Sequence, residues 1–463
     1  MLIKDCINNL QMVAISEGAG SGTKLFQSLL DSHPNVLMIP GYALMYFYPF
    51  WERKIQHRKQ LGWPEILQNI ISSFPSLFDT RKQAGSEGLD QLGASKTESL
   101  IVSEKDFCHT FLAITENESI SSKAALIAVH VAYAVSAGED LTRKTVLVYH
   151  IHVFFYVEKY LRRDFPDLKV IASVRDPRAN IARRVENSVL KPNEQKLRDS
   201  DFFLMRHSAY FHIMRFTCEG LDSLANVPEQ KIRVFRHEDL VTKLKHVMYS
   251  TAKFIDISFD EVLLKPTWGG LQWHTTYYNF DSTKYIANPD VISSDWQKLH
   301  SEQEILFIEG LCWGVVTKYY GHPYVFNAAK FTHLVALILL SVMPRSYELK
   351  ELGKLIRIDK YLSIVAKELK NLNTLKSYQG NLFYELKWTN GGIDFSRRDL
   401  LSNIDVLSRT GRAVVLSAYA VERLWRYVTI FPAFLLNYFW RVKISISAIW
   451  KGLKRQRILP DTL

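Results

Sequence analysis

Two periodicities of apolar positions alternate along the first 180 residues, and their alternation sets the expected architecture. Met12-Val13-Ala14-Ile15 is an unbroken apolar, β-prone run. It stops at Gly18-Ala19-Gly20-Ser21-Gly22-Thr23-Lys24, after which Phe26, Leu29 and Leu30 fall at helical spacing. Asn35–Ile39 reads as a second short strand closed by Pro40-Gly41, and residues 43–80 read as aromatic-rich helix. Gln83–Glu98 is polar and reads as a loop. Ala124–Ala137 is a small-residue apolar run that predicts a buried helix. Thr145–His150 predicts a strand and Val153–Arg163 a helix. Lys169–Val174 is apolar enough for a central parallel strand. Strands alternating with helices predict an α/β fold, a parallel sheet layered between helices.

The turn after the first strand carries candidate chemistry. Glycines admit close approach to a phosphate, backbone N–H groups point inward, and the helix N-terminus adds partial positive charge. Thr23 offers a hydroxyl and Lys24 a cation at the lip. The order Gly22-Thr23-Lys24-Leu25 is not a Walker A loop, and the glycine spacing is not that of a dinucleotide fingerprint. Ligands in open α/β sheets collect at the carboxyl ends of strands. His150 and His152 end one strand there, and Arg175-Asp176-Pro177-Arg178 follows another. Pro177 suits a helix start, and Arg183 lies about two turns beyond Arg175. A glycine loop and two basic groups around one crevice point to a ligand with two separate phosphates.

The chain has 463 residues and a formal net charge of +11, which favours polyanionic ligands or an acidic membrane surface. No nucleic-acid-binding module is recognisable, so nucleic acid is not an expected partner. Cys6, Cys108, Cys218 and Cys312 show neither CxxC spacing nor an accompanying His cluster, so no metal centre or disulfide framework is expected. No leader or N-terminal anchor is evident, and the expectation is a cytoplasmic protein. Beyond Tyr324 the composition changes. Phe331–Met343 is apolar but short for a straight membrane span, and Glu348–Leu375 mixes Lys and Glu at helical spacing. Tyr427–Trp440 is uncharged and aromatic, and a tail with Arg441, Lys443, Lys451, Lys454, Arg455 and Arg457 follows. Aromatic helices flanked by cations suit an anionic membrane interface, so peripheral association at the cytoplasmic face is expected.

Several motifs together resemble the sulfotransferases that use 3′-phosphoadenosine 5′-phosphosulfate (PAPS). SGTKLFQSLLDSHPNV resembles that family's 5′-phosphosulfate loop and helix, and FPDLKVIASVRDPRANIARR its 3′-phosphate strand and helix. VFRHEDLVTKLKHVMYSTAKFIDISFD resembles its Glu-Asp-Leu segment, and Lys265–Trp273 the late loop that closes over the nucleotide. Trp296 and a helix over Glu302–Tyr320 complete the order, which spans about residues 10–325. The variants Asp-Ser-His-Pro and Arg-Asp-Pro-Arg look like bacterial or carbohydrate-type members. Two positions depart from the family pattern: Gly20 stands where Lys or Arg is usual, and Arg183 where a phosphate-binding Ser is usual.

The resemblance implies a P-loop-like core over residues 1–325, with 326–463 as a helical, basic C-terminal extension. It implies that Gly20, Ser21, Gly22, Thr23 and Lys24 hold the 5′ end of PAPS and that Arg175 and Arg183 hold the 3′-phosphate, with no metal required. Lys24 would restore the cation that Gly20 lacks. His150 is the first candidate for the base that deprotonates an acceptor hydroxyl, His152 the second and Glu17 the third. The acceptor implied is a carbohydrate or glycolipid. Two other readings stand beside this one: a catalytically inactive, membrane-associated relative, for which Gly20 and Arg183 speak, and a P-loop kinase.

Overall fold

The computed structural model describes residues 10–16, 20–56, 58, 61–82, 89–151, 154–182, 227–274, 278–281, 284–287, 296–342, 438–439, 442–443 and 445–450. Its first compact unit holds all the described elements up to His333. Five parallel strands form the central sheet: β1 (Gln11–Ser16), β2 (Val36–Met38), β3 (Val146–Ile151), β4 (Lys169–Val174) and β5 (Ile232–Arg236). Their spatial order is β2-β3-β1-β4-β5, so β1 lies between β3 and β4. Chain order reverses around β1, the kind of switch point at which α/β sheets open a binding crevice. The register aligns Ile15 with His150 on one side and with Ile171 on the other.

Helices cover the sheet on both faces because every second side chain of a strand points the same way. Val13, Ile15, Val146, Val148, Ile171 and Phe235 form one core with Leu25, Phe26, Leu29 and Leu30 of α1 (Thr23–Leu30). Phe26 stacks on Phe235 with centroids 4.5 Å apart. On the opposite face, Tyr149 meets Tyr48 of α2 (Phe47–Lys54), and His130 of α5 (Ser122–Ser136). Between those two come α3 (Trp63–Ser73) and α4 (Glu104–Thr115). After β3, α6 (Phe154–Asp164) returns the chain to β4. β1 to β4 are where apolar periodicity puts them, within a residue or two, whereas β5 is a strand that the sequence reading does not include.

Beyond β5 the chain continues into α7 (His237–Thr242) and α8 (Leu244–Phe254). A short hairpin of β6 (Thr267–Trp268) and β7 (Leu271–Gln272) then returns to α1. Asp31, at the end of α1, accepts from Thr267 Oγ1 at 3.0 Å and from the Gly270 N–H at 2.9 Å. Trp268 is fully buried in the sheet's core. The segment expected to close over a nucleotide is therefore rooted in the fold through Trp268, and its last residue, Trp273, lies beside Lys24 of the glycine turn.

The single helix expected over Glu302–Tyr320 is two helices, α9 (Glu302–Leu311) and α10 (Trp313–Tyr319). Cys312, at φ −101° and ψ 23°, interrupts the ladder between Gly310 and Gly314, the weakest ordinary helix formers. In the C-terminal region the described segments are helical: α11 (Phe331–Val342) and residues 445–450. No described helix is long and apolar enough to cross a membrane. Glu348–Leu375, most of Tyr427–Trp440 and the basic tail apart from Lys443 lie outside the described residues.

Candidate active site

Three strand ends bring the candidate groups to one edge of the sheet. The turn after β1 enters α1 through Gly20 and Gly22, at φ +78° and +86°. These are left-handed conformations that only glycine adopts without strain. A Cβ on Gly20 would sit 2.6 Å from Asn180 Oδ1, and one on Gly22 would sit 2.5 Å from His237 Nδ1. The backbone thus passes flush against its neighbours, with both positions reserved for glycine. Ser21 and Thr23 are buried, and the Ser21 hydroxyl bonds that of Ser173 at the end of β4.

Arg175 follows β4 directly, and its Nη1 donates to the Gly20 carbonyl at 3.2 Å. The neighbouring carboxylate does not compete for it, because Asp176 makes a bidentate pair with Arg178 at 2.7–2.9 Å. Arg178 also donates to Glu309 Oε1 at 2.7 Å and lies 4.7 Å from the Trp296 ring centroid. Fully buried Glu309 accepts three successive backbone N–H groups, from Tyr324, Val325 and Phe326. Glu238 accepts the Asp176 N–H at 3.1 Å and the Tyr320 hydroxyl at 2.9 Å. The segment carrying Arg175 is thereby fixed from α7, α9 and the chain after α10. Pro177 opens the next helix as expected, with residues 177–182 helical.

His237 starts α7 and lies fully buried under Gly22. Burial, reinforced by the Arg175 charge, pushes its imidazole down to about 3, so it is neutral across the physiological range. It is a packing group beneath the loop.

On the other side of β1, His150 is buried at the end of β3, and its Nδ1 lies 2.8 Å from Gln27 Oε1 on α1. The Tyr42 ring is 4.8 Å from the His150 ring. Lys24 Nζ lies 5.2 Å from the Trp273 centroid and 5.8 Å from that of Tyr42, within cation–π range of both. His150, Tyr42, Lys24 and Trp273 therefore line one flank of the glycine turn, and Arg175 and Asn180 line the other.

The model of the family described as the sulfotransferase family matches residues 20–261, just over half of the chain. The chain belongs to the sulfotransferase family. No curated protein matches it. Nine solved chains do. One is the sulfotransferase domain from the curacin biosynthetic pathway, at 16% identity and a TM-score of 0.30, over 63% of this chain and 92% of that one. Another is the sulfotransferase domain of the Synechococcus PCC 7002 olefin synthase, at 15% and 0.33, over 63% and 90%. A third is retinol dehydratase in complex with androsterone and the inactive cofactor PAP, at 13% and 0.28, over 66% and 83%.

Of the residues singled out in the sequence of this sulfotransferase-family chain, Gly20, Ser21, Gly22, Thr23, Lys24, His150 and Arg175 come together at the edge just described. His152, Arg183 and Glu17 lie outside the described residues. Gln27 and Asn180 belong to the same place and were not singled out. Gln27 carried one available signal: it is a polar residue on the apolar face of α1, four residues after Thr23 and one turn from the loop.

Proposed function

We propose that the chain transfers a sulfuryl group from PAPS to a hydroxyl of a carbohydrate or glycolipid acceptor. The observation that carries this reading is the convergence of the glycine turn, Arg175 and His150 on three adjacent strand ends. The residues present fit the nucleotide: two glycines that exclude a Cβ, two buried hydroxyls and the N-terminus of an eight-residue helix form the 5′ cradle. Arg175 closes its rim, and with Arg183 would hold the 3′-phosphate through charge-assisted bonds. Bound there, PAPS supplies an activated sulfuryl group and a phosphate leaving group.

The chain's own residues then orient the partners and handle one proton. His150 takes the acceptor's hydroxyl proton as its oxygen bonds to sulfur; His152 is the alternative base. Lys24, on the same flank, neutralises charge on the phosphate side as the sulfur–oxygen bond breaks. The Tyr42 ring beside His150 offers a face for a sugar ring. The net charge of +11 favours an anionic glycan or lipid surface.

The kinase reading asks for a hydroxyl metal ligand after the lysine of the loop. Here Leu25 follows, and it packs in the core. The inactive-relative reading rests on Gly20 and Arg183; for the first, the left-handed backbone and the Asn180 side chain make glycine the residue this loop conformation needs, and the second lies outside the described residues.

We assign residues 1–325 to the catalytic domain and 326–463 to an extension that rests on an anionic membrane. Exposed Val335, Ile338 and Leu339 on one side of α11 support that role. Incubation with PAPS labelled in the sulfuryl group, with polysaccharide, glycolipid and phenol acceptors in parallel, tests the function. Label on sugar hydroxyls is expected. Transfer to phenols alone would overturn the acceptor class, and no transfer to any acceptor would favour the inactive relative.

A further inference from the structure

We infer that Gln27 is a positioning residue that sets the tautomer of His150 and thereby makes Nε2 its basic atom; this rests on the sulfuryl-transfer reading. Gln27 is fully buried on α1 and spans two partners. Its Nε2 donates to the Ile39 carbonyl at 3.0 Å. A carbonyl oxygen only accepts, so the amide cannot be turned round without setting two acceptors face to face. Oε1 is therefore the atom presented to His150 Nδ1, 2.8 Å away. An amide oxygen also only accepts, so Nδ1 carries the hydrogen. On the neutral ring the lone pair then falls on Nε2.

The assignment follows from a chain of two hydrogen bonds that begins at a backbone atom after β2, and it needs no hydrogen to be seen. It also joins the two halves of the site. Thr23 and Gln27 are four residues apart on α1, so they share one face of the helix that the glycine turn opens. The helix that holds the 5′ cradle thus also aims the base. In the step this serves, the acceptor's O–H proton moves to Nε2 and its oxygen forms the new bond to sulfur. The sulfur–oxygen bond to the 5′-phosphate breaks, and that electron pair leaves on the nucleotide.

Two measurements on the full chain test this. Long-range proton–nitrogen NMR of histidine-labelled protein, with the His150 signal assigned by its loss in His150→Asn, reads the tautomer without any turnover. A ring protonated at Nδ1 is expected, and a ring protonated at Nε2 overturns the inference. Kinetics then compare Gln27→Leu, which removes both bonds, with Gln27→Glu. The glutamate still accepts from Nδ1–H but gives up the donation to Ile39. Gln27→Leu should lower kcat at least tenfold with KM for PAPS within twofold, and Gln27→Glu should recover most of kcat. Equal losses in both variants would mean that the Ile39 bond, a structural one, is what matters, and unchanged kcat in Gln27→Leu would also overturn the inference. If wild-type protein shows the expected tautomer yet transfers sulfuryl to no acceptor, the transferase reading fails while the hydrogen-bond assignment stands.

Discussion

Arg175 donates to the carbonyl of Gly20 across the seam between β4 and β1. That one bond joins the residue proposed for the 3′-phosphate to the loop proposed for the 5′ end, and it makes their spacing a property of the sheet. Arg175→Ala should weaken binding of 3′,5′-adenosine bisphosphate about 10–100-fold, the range for a lost hydrogen bond to a charged group. Arg175→Lys should fall between, because an ammonium keeps the charge and loses the fork. Equilibrium binding of the bisphosphate to the three proteins checks this.

Gly22→Ala should be the more damaging loop substitution. A non-glycine residue at φ +86° costs about 1–3 kcal/mol, and its Cβ would press on the buried His237 ring. Adding His237→Ala removes the second effect and leaves the first. Because His237→Ala itself leaves a cavity under the loop, denaturant midpoints should show the double variant losing less than the two single losses added together.

Glu309 tests how far the Arg175 segment depends on its supports. Removing it in Glu309→Ala strips Arg178 of one partner and leaves three backbone N–H groups without their acceptor. A loss of about 3–5 kcal/mol is expected, as for breaking a buried ion pair by deleting one member. Urea unfolding with an unchanged slope would check it; a shift below 1 kcal/mol would mean that Asp176 and water replace the carboxylate.

Acid should destabilise the fold through its buried histidines, His130 and His237 foremost. Burial pushes His130 down to about 4 and His237 to about 3, from an ordinary value near 6.5. Below pH 6.5 the unfolded chain binds protons that the folded chain refuses, so stability falls as pH drops toward 4. Above 6.5 both states are neutral at these positions and the effect vanishes. His130→Asn should flatten this acid limb by nearly one proton's slope, measurable as denaturation midpoints at successive pH values.

Much of this site was legible in the sequence because its parts are local. The run Met12–Ile15 with the glycines after it, and Lys169–Val174 with Arg175 after it, each predict a strand ending in a candidate site group. The strand order follows from pairings between distant segments, which apolar periodicity does not encode. Gln27 and His150 are likewise partners 123 positions apart, and nothing near either one announces the other. The break at Cys312 was missed because apolar spacing runs through it, whereas the flanking glycines weaken the ladder. His237 packs beneath the loop, a place visible only once α7 is set there.

The glycine turn and Arg175 are proposed to bind an adenosine nucleotide phosphorylated at both 3′ and 5′ positions. Calorimetric titration of the full chain with 3′,5′-adenosine bisphosphate, and separately with ATP and magnesium, tests it most directly, with Arg175→Ala as control. Tight binding of the bisphosphate that collapses in the variant, with ATP much weaker, is the predicted result. Preference for ATP with magnesium, or heat from neither nucleotide, would contradict it.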